Sequence, residues 1–242
     1  MSDQRPPYPL HSVTIERIEQ VSPHMKRITV DATALTGLRT DLPGQWLKVF
    51  VPGSSGRAYT VRRFDAERHT LDIDFFLHGD SGAISAWATN AKLADALEIS
   101  DVHPRSGFAI DPAIRDYLLI GDETALPAIG AIVQALAPDI TARVYVQLGD
   151  ARDKQILSSR AALSIKWLSG DAREGTASPH LEALVRDLDI ATDSTAIWVA
   201  GESSPVAALR KILRRERGID AGRVHAVSYW KRGHADHRDA DM

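Results

Sequence analysis

The chain has 242 residues, of which 44% are hydrophobic and 25% charged, and its formal net charge is −3. This composition excludes wholesale disorder and collagen-like repeats, and the slightly acidic balance argues against a dedicated nucleic-acid binder. The chain contains no cysteine, which excludes disulfides, thiolate zinc sites, cysteine-ligated iron–sulfur clusters and thiol nucleophiles. Any redox chemistry must therefore use an organic cofactor, and we expect no metal site of the protein's own. Because the sequence has neither an apolar run long enough to span a membrane nor a signal-peptide core, we expect a cytoplasmic protein.

The first half of the chain carries short strand-like segments separated by turn residues. These segments lie at 13–15, 27–30, 46–50 and 71–76. The last one alternates most clearly, since Leu71, Ile73 and Phe75 would share one face of a strand. Many short strands at this spacing predict an antiparallel β-barrel, interrupted by one helix over 82–90.

The second half alternates short, continuously apolar segments with helical ones. The apolar segments lie at 117–120, 144–146, 196–200 and 224–227, with helices expected over 127–136 and 205–217. Buried strands that alternate with helices predict a parallel sheet of the α/β class. Ser204 is the expected N-cap of the second helix, and Gly218 its stop. We expect a barrel domain at 1–112, an α/β domain at 113–233 and a disordered tail at 234–242.

The segment RAYTVR at 57–62 has the residue types that a flavin dinucleotide requires. On a strand, Arg57, Tyr59 and Val61 would project one way, and Thr60 and Arg62 the other. Arg57 offers a cation for a pyrophosphate, Tyr59 an aromatic plane and Thr60 a hydrogen-bond partner. The alternative is a solvent-exposed barrel strand with a chance aromatic residue.

A second candidate combines the end of a strand, a glycine turn and the start of a helix. Helix N-termini present free N–H groups to phosphate, Gly82 would allow close approach, and the Ser85 hydroxyl can donate. His78 could contact an adenine ring, or it is an ordinary loop histidine. Trp87 is interpreted as either a core residue or a ligand contact.

Two further candidates follow apolar strands of the second half, where parallel sheets bind ligands. They are GDETALPA at 121–128 and WVAGE at 198–202, and neither is a glycine-rich dinucleotide fingerprint. Asp122 and Glu123 would repel phosphate, so we expect them to turn away or to cap the helix. Either motif could also be a routine crossover turn. Lys231 and Arg232 come at the end of another strand and could face an anionic ligand.

Five motifs together resemble the siderophore-interacting protein family, the flavin-dependent ferric-siderophore reductases. The motifs are RAYTVR (57–62), DFFLHG (74–79), GDETALPA (121–128), WVAGE (198–202) and SYWKRG (228–233). They occur in the family's order, and the resemblance extends over 11–233. It implies a ferredoxin-reductase-like fold, with an FAD-binding barrel followed by an NAD(P)-binding α/β domain.

The resemblance also implies three groups of site residues. The residues at the reacting rings would be Thr60, Thr124 and Trp230. The cofactor-binding residues would be Arg57, Ala58, Tyr59, Thr60, Val61, Arg62, Asp74, His78, Gly82, Ala83, Ser85, Thr124, Ala125, Gly201 and Glu202. An anionic ferric siderophore would be held by Lys48, Lys231 and Arg232.

The function implied is a reductase that passes electrons from NADH or NADPH through FAD to the iron of a ferric siderophore. Ferrous iron binds the siderophore's oxygens more weakly and is then released. Two alternatives stay open: a general NAD(P)H:flavin or quinone-type reductase on the same fold, and a non-catalytic siderophore-binding protein. We expect a monomer that binds no nucleic acid and has no membrane span.

Overall fold

The computed structural model describes residues 9–35, 38–78, 82–170 and 179–234. Its backbone contacts divide the chain into two units, Met1–Gly107 and Phe108–Met242. Of the predicted tail at 234–242, all but His234 lies outside the described residues.

The first unit is a closed antiparallel barrel of six strands in the order β1-β2-β5-β4-β3-β6. The strands are β1 Leu10–Ser22, β2 Met25–Asp31, β3 Trp46–Phe50, β4 Arg57–Asp65, β5 Thr70–Phe76 and β6 Ala96–Ser100. One helix, α1 (Ala83–Asn90), lies between β5 and β6 in the chain. The predicted barrel and the helix that interrupts it are confirmed, whereas β6 was not predicted from its short, mixed sequence.

Alternation along the strands builds the barrel core. Leu71, Ile73 and Phe75 of β5 are all fully buried in it, as the pattern predicted. The same alternation governs β4 only up to Val61, because a register shift follows between Val61 and Arg63. The shift is an irregularity that re-aims the side chains beyond it.

The second unit is a five-stranded, wholly parallel sheet in the order β11-β10-β7-β8-β9. The strands are β7 Asp116–Asp122, β8 Thr141–Leu148, β9 Ala162–Ser169, β10 Thr195–Glu202 and β11 Val224–Trp230. The helices are α2 Leu126–Ala135, α3 Pro179–Asp187 and α4 Ser203–Lys211. The predicted parallel α/β sheet is confirmed. Strand β9 and helix α3 are additions to it, because their segments carry more polar residues than the segments that were predicted.

The strand order reverses between β7 and β10. From β7 the chain continues to β8 and β9 on one side, and it then returns to build β10 and β11 on the other. The carboxyl ends of β7 and β10 therefore lie side by side at the reversal. Open α/β sheets bind their ligands at this position, because the loops that leave the two strands diverge there.

Helix α4 begins earlier than its sequence pattern predicted. It starts at Ser203, and its cap is the carboxylate of Glu202, which accepts a hydrogen bond from the backbone N–H of Ser204 at 2.6 Å. Ser204 is therefore inside the helix rather than at its cap. The helix continues through a π-helical stretch at Ile212–Glu216, and the chain then turns at Gly218, whose φ is +68°.

Candidate functional site

The predicted pyrophosphate-binding residue, Arg57, lies at the start of β4 beside a tight turn. Its Nη1 donates to the Ser55 hydroxyl at 2.7 Å and to the carbonyl of Gly56 at 2.8 Å. Gly56 has a φ of +80°, and the ring of Phe50 would block a Cβ there. These contacts fix the start of β4 and orient its first cation.

Tyr59 is half-buried and packs against the barrel core. Its ring centroid lies 4.6 Å from that of Phe75. Burial raises the pKa of the Tyr59 hydroxyl well above its ordinary value, and the charge of Arg57 only partly opposes this, so the ring is neutral. Trp87 packs on the same core 6.0 Å from Phe75, which agrees with its interpretation as a core residue.

Thr60 lies on the opposite face of β4. It is paired in register with Trp46 of β3, while Lys48 is paired with Ala58. Directly opposite residues of an antiparallel pair point to the same side, so these four side chains share one outward face. Trp46 also stacks on His103, with ring centroids 4.3 Å apart and planes within 13°. Within the described residues, Trp46 Nε1 and His103 Nδ1 are buried without a hydrogen-bond partner.

Trp46 and His103 were not predicted as site residues. One sequence signal pointed to Trp46: it lies two positions before Lys48 on the same strand, so the two side chains share a face. The structure places the side chain of Val61, by contrast, in the barrel core. Any contact between Val61 and a cofactor would therefore use its backbone.

A buried charged cluster joins three strands of the barrel. Arg27 donates to both oxygens of Asp74, and Arg62 Nε lies 3.9 Å from Asp74 Oδ2. The side chain of Asp74 is only 1% exposed, so it cannot present its carboxylate to a ligand directly. Burial lowers the pKa of Arg62, and the positive charge of Arg27 acts in the same direction. Asp74 was predicted to bind the cofactor, and its visible role is to hold these two arginines.

Helix α1 starts on an extended residue, Gly82, which has no side chain to cap it. A Cβ on Gly82 would lie 3.6 Å from His78, an ordinary contact, so the fold itself does not require glycine there. Ser85 is buried, and its hydroxyl accepts a hydrogen bond from the backbone of His78 at 3.3 Å. Ala83 and the side chain of His78 are exposed. Residues 79–81, which complete the predicted turn, lie outside the described residues.

In the parallel sheet, four of the predicted residues come together around one carboxylate. Asp122 Oδ1 accepts from the backbone N–H of Thr124 at 2.9 Å and from its hydroxyl at 2.5 Å. Asp122 Oδ2 accepts from the backbone N–H of Glu202 at 2.9 Å and from Trp230 Nε1 at 3.0 Å. Asp122 does act as a cap, but of the 3-10 turn Glu123–Ala125 rather than of α2, whose N-cap is Ala125. Sequence reasoning missed that its carboxylate also reaches β10 and β11.

Burial raises the pKa of Asp122 above its ordinary value, and the four hydrogen bonds act against that rise. Gly201 lies directly beside this carboxylate with a φ of +144°, and a Cβ there would be 2.5 Å from Asp122 Oδ2. The glycine of WVAGE is therefore required by close approach. Ala125 is fully buried and lies against Gly121, so its side chain belongs to the core.

The carboxyl end of β11 carries the predicted substrate-binding cations. The side chains of Lys231 and Arg232 are exposed. The buried carboxylate of Glu202 caps α4 and also accepts from the backbone N–H of Arg232 at 3.3 Å. Glu202 thus fixes the backbone that carries these cations, and its side chain is occupied by the protein itself.

The pairing of a closed barrel with a parallel sheet also occurs in solved structures of other proteins. A ferredoxin reductase of carbazole 1,9a-dioxygenase aligns with a TM-score of 0.70 over 93% of this chain and 70% of its own, at 16% identity. That similarity shows the shared fold of barrel and parallel sheet. None of the described helices is long and apolar enough to cross a membrane.

Residues 114–233 match the family model of siderophore-interacting proteins, and 14–56 and 54–106 match the siderophore-interacting FAD-binding domain. The chain belongs to the siderophore-interacting protein family, as the five motifs predicted. Ferric vibriobactin reductase ViuB of Vibrio cholerae is 32% identical, over 90% of this chain and 88% of its own. The siderophore-interacting protein SipS from Aeromonas hydrophila is 30% identical with a TM-score of 0.82, over 96% of this chain and 95% of its own.

Proposed function

We propose that this protein is an FAD-dependent reductase of ferric siderophores that takes its electrons from NADH or NADPH. The observation that carries the proposal is a barrel that matches the family's FAD-binding domain and places the guanidinium groups of Arg27 and Arg62 beside the buried carboxylate of Asp74. The relative ViuB is named a ferric vibriobactin reductase, which points to ferric iron as the electron acceptor. The residue roles below are part of the proposal.

The residues of the barrel fit a flavin dinucleotide. Burial and the positive charge of Arg27 lower the pKa of Arg62, and the carboxylates of Asp74 and Asp72 only partly oppose them. An anion beside Arg62 would offset both effects, and a phosphate supplies that charge in a form that a guanidinium binds with two hydrogen bonds. The neutral ring of Tyr59 offers an apolar plane.

FAD would supply the chemistry, because it accepts a hydride and releases single electrons. The chain would bind and orient it. Arg57 and Arg62 would hold the pyrophosphate, helped by the N–H groups that begin α1. Thr60 would offer its hydroxyl to the reacting edge of the ring, since it lies on the outward face of β4.

The carboxyl edge of the parallel sheet would bind the nicotinamide nucleotide. Its position at the strand-order reversal supports this assignment. Thr124 and Trp230 meet there at the carboxylate of Asp122, with Gly201 directly beside it.

The siderophore would be attracted by cations. Lys48 shares a face with Thr60, and Lys231 and Arg232 are exposed at the end of β11. Ferric iron is the substrate and arrives with the siderophore's hard oxygen ligands, whereas ferrous iron binds these oxygens weakly. The protein would therefore need to attract and orient an anionic complex without ligating its iron.

An anaerobic assay tests the proposal. The purified protein is mixed with NADH or NADPH, and bleaching of the flavin absorbance is followed. A ferric siderophore is then added together with a ferrous chelator. We expect the oxidised spectrum to return and ferrous iron to be trapped, because each nucleotide delivers an electron pair and each iron accepts one electron.

The same siderophore loaded with gallium is the matched control, because gallium(III) keeps the shape and charge of the complex and cannot be reduced. Reoxidation by quinones and not by the ferric complex would indicate a general reductase instead. A protein that purifies without flavin and binds none would indicate the non-catalytic siderophore-binding alternative.

A further inference from the structure

The carboxylate of Asp122 has every acceptor position filled. An ionised carboxylate has about four lone-pair positions on its two oxygens, and Asp122 receives four donors, two on each oxygen. A protonated acid would have to aim its own O–H at one of those donors, so the arrangement favours the ionised form. The side chain is also buried, so a ligand at the sheet edge reaches its neighbours rather than the carboxylate itself.

This carboxylate decides what Thr124 can offer to a ligand. A threonine hydroxyl has one hydrogen and two lone pairs. Because Asp122 Oδ1 only accepts, the hydrogen of Thr124 is committed to that contact of 2.5 Å. The hydroxyl therefore retains only acceptor capacity. Thr124 is half-buried, so a ligand group that meets it must donate a hydrogen bond.

The same carboxylate also fixes Trp230. The indole N–H donates to Asp122 Oδ2, and this contact joins the ends of β11 and β7 across the intervening end of β10. It is possible only because Gly201, on that intervening strand, has no Cβ to enter the space. The orientation of Trp230 is therefore set by Asp122 rather than by its own strand alone.

We propose that Asp122 is the positioning residue of the nicotinamide site: it makes Thr124 an acceptor for the carboxamide N–H of the nucleotide and holds the Trp230 indole at the sheet edge. The inference rests on the proposed function, because it assigns this edge to the nicotinamide. The carboxamide is the group on the nicotinamide ring that can donate a hydrogen bond. A nucleotide with an acetyl group in place of the carboxamide has no such donor.

The test compares NADH with its reduced 3-acetylpyridine analogue, which keeps the ring and nucleotide but lacks the N–H donor. Dissociation constants are taken from saturation of the anaerobic flavin-reduction rate. We expect wild-type protein and Thr124→Ser to bind NADH roughly tenfold more tightly than the analogue. Thr124→Val and Asp122→Asn should lose most of that preference. Asparagine keeps the size of Asp122, but one of its two positions is an N–H₂ group, which would face N–H or O–H donors instead of accepting from them.

A second readout does not depend on turnover. The indole N–H resonance of Trp230 is recorded in nitrogen-15-labelled protein and identified by its loss in Trp230→Phe. Asp122→Asn should shift this resonance, and the matched control Asp116→Asn should not. Asp116 lies at the opposite end of β7, where it accepts from Thr195 at 2.8 Å, so its variant reports general damage to the sheet.

The outcomes separate the two proposals. If wild-type flavin is reduced by nucleotide and both Thr124→Val and Asp122→Asn keep the preference, the role of Asp122 is wrong while the proposed function stands. An unmoved Trp230 resonance in Asp122→Asn overturns the role in the same way. If neither NADH nor NADPH reduces wild-type flavin, the nicotinamide site and the proposed function both fail. If Asp122→Asn does not fold, the comparison of Thr124→Val with Thr124→Ser decides.

Discussion

Arg27 donates two hydrogen bonds to the carboxylate of Asp74, at 2.6 and 2.7 Å, from the directly paired position on the neighbouring strand. The two residues form a buried ion pair, and Arg62 lies beside the same carboxylate. The carboxylate of Asp72 also favours the charged forms of both arginines, so two carboxylates act on two guanidinium groups in the barrel. In the proposed function, Arg62 of this cluster binds the phosphates of FAD.

Asp74→Asn should destabilise the barrel strongly, because it leaves two buried guanidinium groups without their carboxylate. We expect a loss of about 3–5 kcal/mol in the free energy of unfolding, measured by urea denaturation. Asp65→Asn is the control, since Asp65 pairs with the exposed Arg63 at 3.0 Å and such pairs contribute about 1 kcal/mol or less. Equal losses in the two variants would contradict the buried role of Asp74.

Arg57→Ala should weaken FAD binding while the fold is kept. Loss of a charge-assisted phosphate contact costs about 1.5–3 kcal/mol, or roughly tenfold to a hundredfold in affinity. The measurement is a flavin titration of the apoprotein, followed by fluorescence. Arg63→Ala, on the exposed side of the same strand beyond the register shift, should bind FAD like wild type. Unchanged affinity in Arg57→Ala would show that Arg57 does not hold the pyrophosphate.

Lys48→Ala should impair the reduction of negatively charged ferric complexes and leave flavin content intact. The half-buried cation of Lys48 would act mainly by attracting the anionic ferric complex, so kcat/KM should fall by about twofold to fivefold at low salt. The deficit should shrink as ionic strength rises, because salt screens the attraction. The matched variant Lys92→Ala removes an exposed lysine elsewhere on the barrel and should leave kcat/KM unchanged. An equal deficit with an uncharged acceptor would argue against siderophore binding by Lys48.

Gly201→Ala should lower the free energy of unfolding by more than the strain of placing alanine at a positive φ would cause alone. The added Cβ would meet Asp122 Oδ2 at 2.5 Å, and the residue has a φ of +144°. We expect a loss of at least about 2 kcal/mol, measured by thermal or urea unfolding. Gly53→Ala is the reference, because Gly53 also has a positive φ, of +78°, but nothing lies within 4 Å of its Cβ position. That variant should lose only about 1 kcal/mol. A loss at Gly201 no larger than at Gly53 would mean that the carboxylate can move away.

Local pattern was enough to predict the two architectures. Leu71, Ile73 and Phe75 reveal their strand because side chains two positions apart share a face, and that rule needs no knowledge of the partner strand. Continuous apolar segments such as 117–120 indicate strands that are buried on both faces, as in a parallel sheet, and this pattern is also local. The family motifs are also contiguous stretches of sequence, so the family could be identified before any contact was known.

The connections among distant residues were decided only by the tertiary structure. Asp122 and Trp230 are 108 positions apart, and they meet because the sheet order brings the carboxyl ends of β7, β10 and β11 to one edge. Arg27 and Asp74 are 47 positions apart and meet through the register of β2 on β5. Sequence periodicity determines which face a side chain occupies, but not which strand lies beside it. Strand order and register depend on how the apolar faces of the whole chain pack together, so they determined which residues surround each candidate site residue.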